Sequence, residues 1–307
     1  HFRGRCVIIY YINYICRMRG AEVAMRTEYE VLELIKSIAK DDSRIKAVAL
    51  CGSRADENCP KDIYQDYDAE YYVEDIKPFW DNMKWFEDSF GKTILYQLPE
   101  VVDGIKDGDR FAYLAIFEDG VRIDLSILKL PQRTPQDGSE PKIVLLDKCG
   151  LFDGVRFNQW CYNVSAPDQK EFAACCNEFW WCLNNVAKGL AREQIPYVKN
   201  MYDINVRPML DKMLSWYIGS ITDFSVSSGK YGKYFKKYLP DSIYSKYLRA
   251  YCLSDPMRIW TSVISTCKLF SDVAKLVASE LGLKYNQSEE DGSRIYMMNV
   301  KNGVYSL

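Results

Sequence analysis

The pattern of apolar residues changes near residue 168, and this change restricts the fold more than any other feature of the sequence. Before it, apolar runs are short and rich in β-branched and aromatic residues, as in strands. We predict strands at 45–51, 66–73, 94–100, 111–117 and 121–128. After it, long stretches of helical period follow one another between prolines, at about 168–192, 200–220, 241–253 and 256–282. This order predicts an α+β protein, with an N-terminal mixed β-sheet flanked by helices and a C-terminal helical domain.

Capping and turn residues set the expected boundaries. Thr27 and Glu30 form a capping box at the start of a helix over 28–40, and a short helix is expected at 77–89. Because this regular pattern opens at Met25, we interpret residues 1–24 as a leader of unknown role that precedes the native start. A linker rich in proline at 131–141 favours two domains, 25–150 and 151–307, and the polar tail after Lys284 is expected to pack poorly at its end.

Composition excludes several kinds of chemistry. The only histidine is His1, so neither a Ser-His or Cys-His nucleophile nor a histidine-ligated zinc site is available in the body of the chain. The 11 cysteines include no CxxC pair, and many have apolar neighbours, which indicates buried thiols in a reducing cytoplasm. No apolar run approaches the roughly 20 residues that a membrane-spanning helix requires.

Charge is distributed unevenly along the chain. The whole chain has a formal net charge of -2, but residues 25–130 hold 14 Lys and Arg against 23 Asp and Glu. An acidic surface repels a nucleic-acid backbone and attracts cations. We therefore expect no nucleic-acid or membrane partner, and a cationic small molecule fits this half of the chain best.

Three aspartates and a glycine-serine turn are the candidate functional residues of this chain. Gly52 and Ser53 end a buried strand, where backbone N–H groups can approach phosphate oxygens closely. Asp66 and Asp68 lie two residues apart on the next strand, so both carboxylates face one side and can hold Mg²⁺. Asp124 interrupts an apolar strand, where an unpartnered carboxylate is costly, and it can complete the metal site or accept a proton. Such a set meets the demands of nucleotidyl transfer.

The sequence resembles the aminoglycoside 6-nucleotidyltransferases, the streptomycin adenylyltransferases of the DNA-polymerase-β-like nucleotidyltransferase superfamily. The resemblance covers some 260 residues, leaves the leader outside, and is carried by these stretches: MRTE at 25, GSRA at 52, PKD at 60, QDYD at 65, YYV at 71, FG at 90, QLPE at 97, RIDLSIL at 122, CCNEFW at 175 and KGLAR at 188. It implies a nucleotidyltransferase domain followed by a helical acceptor-binding domain. The implied cytoplasmic reaction moves AMP from Mg-ATP to a hydroxyl of streptomycin or a related aminoglycoside, releasing pyrophosphate and conferring antibiotic resistance.

The resemblance also implies roles for individual residues. Two Mg²⁺ ions would be held by Asp66 and Asp68, with Asp124 as the base or a third ligand. The phosphate-binding residues would be Gly52, Ser53, Arg54 and Lys188, and the aminoglycoside would be faced by Glu178 and Trp180.

Because the sequence departs from the family pattern at several positions, it does not identify the acceptor molecule. Asn185 stands where the family has a tyrosine, and the segments 103–110 and 131–165 diverge. A lincosamide or a protein hydroxyl is an alternative acceptor, and a nucleotide-binding module without turnover is an alternative of another class. The sequence decides neither the preference between ATP and GTP nor the oligomeric state.

Overall fold

The computed structural model describes residues 24–104, 108–251 and 254–305. Two compact units meet in the sequence between Cys161 and Tyr162. The first unit contains the β-sheet and the second is helical, so the predicted α+β class is confirmed. Residues 1–23, most of the predicted leader, lie outside the described residues. Among the described helices, none is long and apolar enough to cross a membrane.

The first unit alternates helices and strands. Its regular elements are α1 (Glu28–Asp41), β1 (Ile45–Cys51), the single turn α2 (Gly52–Ala55), β2 (Tyr67–Val73), a 3₁₀ turn (Lys77–Phe79), α3 (Met83–Phe90), β3 (Thr93–Gln97), the short α4 (Pro99–Val102), β4 (Arg110–Phe117), β5 (Arg122–Lys129) and β6 (Ile143–Asp147). Thr27 and Glu30 form the predicted capping box at α1. Asp119 and Gly120 lie in the turn between β4 and β5, where Gly120 takes a positive φ of 85°.

The six strands form one mixed sheet in the order β3-β4-β5-β2-β1-β6. Strands β2 and β5 are parallel, and every other neighbouring pair is antiparallel. Strand β6 is missing from the predicted strands, because its five residues follow Pro141 in the diverged segment after the proline-rich linker. It pairs with β1 and forms one edge of the sheet.

Alternation along the strands separates the two faces of this sheet. One face is apolar and packs against α1 and α3, with Tyr71, Leu125 and Ile127 fully buried. The Tyr71 hydroxyl donates to the Ile35 carbonyl across that layer, at 2.6 Å. The residues that alternate with these apolar ones along β2 and β5, among them Asp68 and Asp124, point to the opposite face of the sheet. The period-two pattern therefore leaves one face of the sheet for polar side chains.

The second unit is a helical bundle. It consists of α5 (Gln169–Ala191), α6 (Ile195–Asn200), a π-helical segment (Met201–Val206), α7 (Arg207–Ile221), a 3₁₀ turn (Lys230–Gly232), the short α8 (Phe235–Tyr238), α9 (Asp241–Leu248), α10 (Pro256–Leu281) and α11 (Gln287–Lys301). Phe179 of α5 stacks on Phe270 of α10, with ring centroids 3.7 Å apart. These rings lie at the centre of an apolar core shared by the long helices.

The polar tail after Lys284 forms a helix over Gln287–Lys301 that packs on the bundle through the buried Met297, whereas the last described residues, Val304 and Tyr305, are exposed. Helix α11 buries Glu290, whose carboxylate accepts hydrogen bonds from Ser271 at 2.8 Å, Tyr285 at 3.0 Å and Arg294 at 2.7 Å. Burial alone would raise the pKa of Glu290, but these hydrogen bonds and one from Lys275 outweigh it and hold the pKa at about 2. The polar residues of α11 thus attach it to the bundle.

Candidate active site

Three carboxylates meet on the polar face of the sheet. The parallel register of β2 and β5 sets Asp68 directly beside Asp124. Asp66 lies immediately before β2, and its carboxylate oxygen Oδ2 lies 3.5 Å from the Arg122 guanidinium, which also binds Asp124. The structure therefore brings together all three aspartates that the sequence singled out.

Burial raises the pKa of two of these carboxylates, Asp66 and Asp68, and the neighbouring negative charges add to the effect. Burial, together with the charges of Asp124 and Asp66, raises the pKa of Asp68 to about 6. Burial also raises the pKa of Asp66, against the opposing effect of Arg122. Because the carboxylates disfavour each other's ionised form, the group favours binding of a cation.

Gly52 lies against one of these carboxylates. It takes a positive φ of 65°, and a Cβ atom there would lie 2.8 Å from Cγ of Asp68 and closer still to Oδ2. Any side chain at this position would overlap Asp68. The glycine that follows β1 thus supplies the space in which the Asp68 carboxylate lies.

Arg122 spans two of the aspartates. Its Nε donates to Asp124 Oδ1 at 2.9 Å and its Nη2 donates to Asp124 Oδ2 at 2.7 Å, which is a two-pronged ion pair. Both Asp124 oxygens therefore accept a hydrogen bond from the same guanidinium. The Arg122 side chain is about two-fifths exposed, whereas the Asp124 side chain is mostly buried.

Arg54 and Ser53 make hydrogen bonds with Gln65 and Asp66, the residues that immediately precede β2. The Arg54 guanidinium donates to the backbone carbonyls of Gln65 at 2.9 Å and Asp66 at 3.1 Å, and it lies 3.7 Å from the centre of the Tyr67 ring. The Gln65 side chain donates to the Ser53 carbonyl at 3.2 Å. Arg54, expected beside the phosphate turn, is 8% exposed, and these contacts fix the position of Asp66.

Two cavities border the aspartates within the first unit. The first, of about 620 Å³, is lined by four cationic side chains, those of Arg26, Arg54, Lys61 and Arg122, by three carboxylates, those of Glu28, Asp62 and Asp66, and by Tyr64 and Tyr67. The second, of about 540 Å³, is lined by four carboxylates, those of Asp68, Glu70, Asp124 and Glu140, with Arg110, Arg133 and Lys142. The carboxylate group lies where an arginine-rich cavity and an acid-rich cavity approach each other.

Among the described residues, the potential metal ligands whose atoms all lie within 4.8 Å of one another are not the three aspartates but Cys51, Glu70 and Glu140, and this set is already neutralised. The Lys142 ammonium, however, lies 2.7 Å from both Glu70 oxygens and 3.7 Å from Glu140. Burial raises the pKa of the Cys51 thiol far above neutrality, so it stays protonated. No sequence pattern indicates this role of Lys142, which comes from the diverged segment.

The remaining predicted residues belong to α5 in the second unit. Trp180 is buried, donates from its indole N–H to Tyr285 at 3.1 Å, and packs edge-on against Phe179 and Phe270. Glu178 is exposed, Lys188 is half-buried, and the next tryptophan, Trp181, is 65% exposed. The structure therefore assigns Trp180 to the core and leaves Trp181 as the exposed ring of this turn.

The donor set fits a divalent cation of the magnesium type. Asp66, Asp68 and Asp124 offer only carboxylate oxygens, the ligands that hard cations prefer, and the space at Gly52 keeps the Asp68 carboxylate unobstructed. The Cys51 thiol lines the second cavity with Asp68 and Asp124, but burial raises its pKa, so it stays protonated and is a poor metal ligand. The residues present therefore match Mg²⁺ or Mn²⁺ rather than zinc.

Comparison with known proteins shows to which family and to which relatives this chain is similar. Residues 25–300 match the family described as streptomycin adenylyltransferase. An aminoglycoside 6-adenylyltransferase of Bacillus subtilis (strain 168) is 35% identical over 271 residues, covering 87% of this chain and 95% of that protein. One from Campylobacter jejuni is 35% identical over 273 residues, covering 87% and 93%. The crystal structure of an aminoglycoside 6-adenyltransferase from Bacillus subtilis aligns with a TM-score of 0.45 at 28% identity, covering 90% of this chain and 99% of that one.

Proposed function

Since the chain belongs to the streptomycin adenylyltransferase family of nucleotidyltransferases, we propose that it adenylylates an aminoglycoside and so confers resistance. In this reaction AMP passes from Mg-ATP to a hydroxyl of streptomycin or a related aminoglycoside, and pyrophosphate leaves. Because the donor is ATP, we assign the reaction to the cytoplasm.

The observation that carries this proposal is the convergence of Asp66, Asp68 and Asp124 beside a glycine that gives Asp68 its space. These carboxylates would hold Mg²⁺, two ions by the family pattern, which when bound neutralise charge on the triphosphate and the departing pyrophosphate. An apolar or merely solvated sheet face has no need for three crowded acids.

Each cavity has the charge that one substrate requires. The arginine-rich cavity suits the triphosphate, because guanidinium groups pair well with phosphate oxygens. Gly52 and Ser53 adjoin that region and are proposed to contact the phosphates through the backbone. In the acid-rich cavity Lys142 already pairs with Glu70 and Glu140, so we propose that Asp68 and Asp124 are the carboxylates that face the ammonium or guanidinium groups of an aminoglycoside. The two substrates would then meet at the three aspartates.

Asp124 is the proposed base. The acceptor oxygen attacks the α-phosphorus, the bond from that phosphorus to the bridging oxygen of the pyrophosphate breaks, and the hydroxyl proton passes to the Asp124 carboxylate. Asp124 lines the acid-rich cavity and lies next to Asp68, so one carboxylate adjoins both the acceptor and the metal ligands. Lys188 and Glu178 remain candidates for substrate contacts from the helical unit, and we add Trp181, which is exposed where the predicted Trp180 is buried.

Asp68→Asn tests the proposal most directly. It keeps the size of the side chain and removes one charge from the carboxylate group, so turnover should fall by about two or more orders of magnitude with the fold intact. Asp75→Asn is the matched control, because Asp75 is exposed just after the same strand. Near-normal AMP transfer by Asp68→Asn, followed with labelled ATP, would refute the metal assignment.

The acceptor and the rival functions are tested with the same assay. Labelled ATP is offered with streptomycin, other aminoglycosides, a lincosamide and a cell protein fraction. Transfer to a lincosamide or to protein alone would replace the proposed acceptor, and nucleotide binding without transfer to any acceptor would favour a module without turnover.

A further inference from the structure

Arg122 and a bound divalent cation need the same oxygen atoms. Both carboxylate oxygens of Asp124 accept from the Arg122 fork, at 2.9 and 2.7 Å, and a third contact of 3.5 Å reaches Asp66 Oδ2. A guanidinium does not lose its proton under any working condition, so it leaves these oxygens only by turning away. Cation binding at this group and the present arginine position therefore oppose each other.

The two neighbouring arginines of the arginine-rich cavity are bound to other groups. Arg26 pairs with Asp119 at 2.6 Å and donates to the Phe90 carbonyl, and Arg54 donates to the backbone just before β2. Arg122 lines the same cavity, and its partners are two of the proposed metal ligands. Its side chain is also about two-fifths exposed, so rotation towards the cavity requires no unfolding.

We propose that Arg122 is a positioning residue that exchanges the Asp124 and Asp66 carboxylates for the phosphate oxygens of the nucleotide. This inference rests on the proposed function. With the arginine on the carboxylates, cations bind weakly and Asp124 is held away from proton transfer. When the triphosphate enters the arginine-rich cavity, the Arg122 guanidinium turns to the phosphates. The carboxylates of Asp124 and Asp66 then become available to the metal and to the acceptor hydroxyl. Nucleotide and metal thereby strengthen each other's binding, and the amount is the same in both directions.

The test measures Mn²⁺ affinity by calorimetry or electron paramagnetic resonance, without nucleotide and with a non-hydrolysable ATP analogue. Arg122→Gln removes the competing charge, so Mn²⁺ should bind about tenfold more tightly without nucleotide, within the usual range of coupling between two ligands. The analogue should bind about tenfold more weakly, so the coupling between the two ligands largely disappears. Arg122→Lys, which keeps the charge but loses the fork, should be intermediate.

Arg44→Gln is the matched control. Arg44 makes the same kind of fork to an aspartate two residues away, Asp42, with contacts of 2.9 and 2.5 Å, and neither residue lines the two cavities. Its loss should leave Mn²⁺ affinity unchanged. Circular dichroism of each variant establishes that the fold is intact, and Arg122→Lys carries the test if Arg122→Gln unfolds.

Two results would overturn the proposal, and they differ in what else they affect. Unchanged or weaker Mn²⁺ binding by a folded Arg122 variant shows that the arginine does not compete with the cation, and it leaves the proposed reaction standing. Failure of the wild type and both variants to bind Mn²⁺ at all overturns the metal assignment in the proposed function, together with this coupling.

Discussion

Replacing Gly52 by alanine should damage both stability and activity, because two independent penalties act at this position. A non-glycine residue at a φ of 65° costs about 1–2 kcal/mol. The new Cβ would also overlap the Asp68 carboxyl, at 2.8 Å from Cγ and 3.2 Å from Cβ, and insertion of an atom into packed surroundings costs about 1–3 kcal/mol. We therefore expect a loss of roughly 2–5 kcal/mol in the free energy of unfolding.

A second glycine separates the two penalties. Gly282 has nearly the same φ, 66°, but no atom lies within 4 Å of the position where its Cβ would be. Gly282→Ala should therefore lose only the backbone part, about 1–2 kcal/mol. Substitution at either position also restricts the unfolded chain to a similar degree, so this contribution cancels in the comparison.

The assay is urea unfolding of both variants, combined with AMP transfer at a temperature where each is folded. Gly52→Ala should be the less stable of the two and should lose most of its turnover, since Asp68 has to move away from the new methyl group. Equal stability of the two variants, or wild-type turnover by Gly52→Ala, would refute the account of Gly52 as the space for Asp68.

Three further predictions follow from the same structure. Asp124→Asn should lose most of its turnover and should not recover with Mn²⁺, because a tighter-binding metal replaces a lost ligand but not a lost base; full recovery would restrict Asp124 to metal binding. The KM for the acceptor should rise markedly between roughly 0.05 and 0.5 M salt while that for Mg-ATP changes less, since charge attraction is screened over about 8 Å at physiological ionic strength; an acceptor KM that does not respond to salt would argue against a polycationic acceptor. Glu290→Gln should lower the free energy of unfolding by about 2–3 kcal/mol at neutral pH, whereas Glu289→Gln, a change at the half-buried neighbouring residue, should not. Because the pKa of Glu290 is lowered from its ordinary 4.5 to about 2, its contribution is complete above pH 4.5 and disappears as the pH falls through about 2, so a difference from wild type that stays constant down to pH 2 would contradict the assigned role.

The sequence is a reliable guide wherever local alternation decides the outcome. In the strand 121–128, Ile123, Leu125 and Ile127 are buried and Asp124 lies on the other face, as a period of two requires. The same alternation places Asp68 on the polar side of β2. The sharing of one sheet face by these two carboxylates therefore follows from the residue pattern alone.

Features that depend on distant parts of the chain could not be predicted in this way. Trp180 and Trp181 are adjacent on one helix, and the choice of which ring is buried depends on Phe270 and Tyr285, about which the local sequence says nothing. Helix α11 has a polar sequence, and its attachment depends on Ser271 and Lys275 of α10. The guanidinium of Arg54 likewise binds carbonyls on the far side of an irregular loop, which no residue pattern predicts.

The parallel pairing of β2 with β5 has a consequence for the order in which the protein folds. Asp68 and Asp124 become neighbours only when these two strands meet, and the residues from Glu74 to Val121, with α3, β3 and β4, lie between them in the chain. Closing so long a loop carries an entropic cost that the antiparallel hairpin of β4 and β5 does not. Repulsion between the incoming carboxylates adds to that cost. The hairpin is therefore expected to form before β2 pairs with β5, so the carboxylates of Asp68 and Asp124 come together in a late step, at the same time as Tyr71 joins the core beside Ile127.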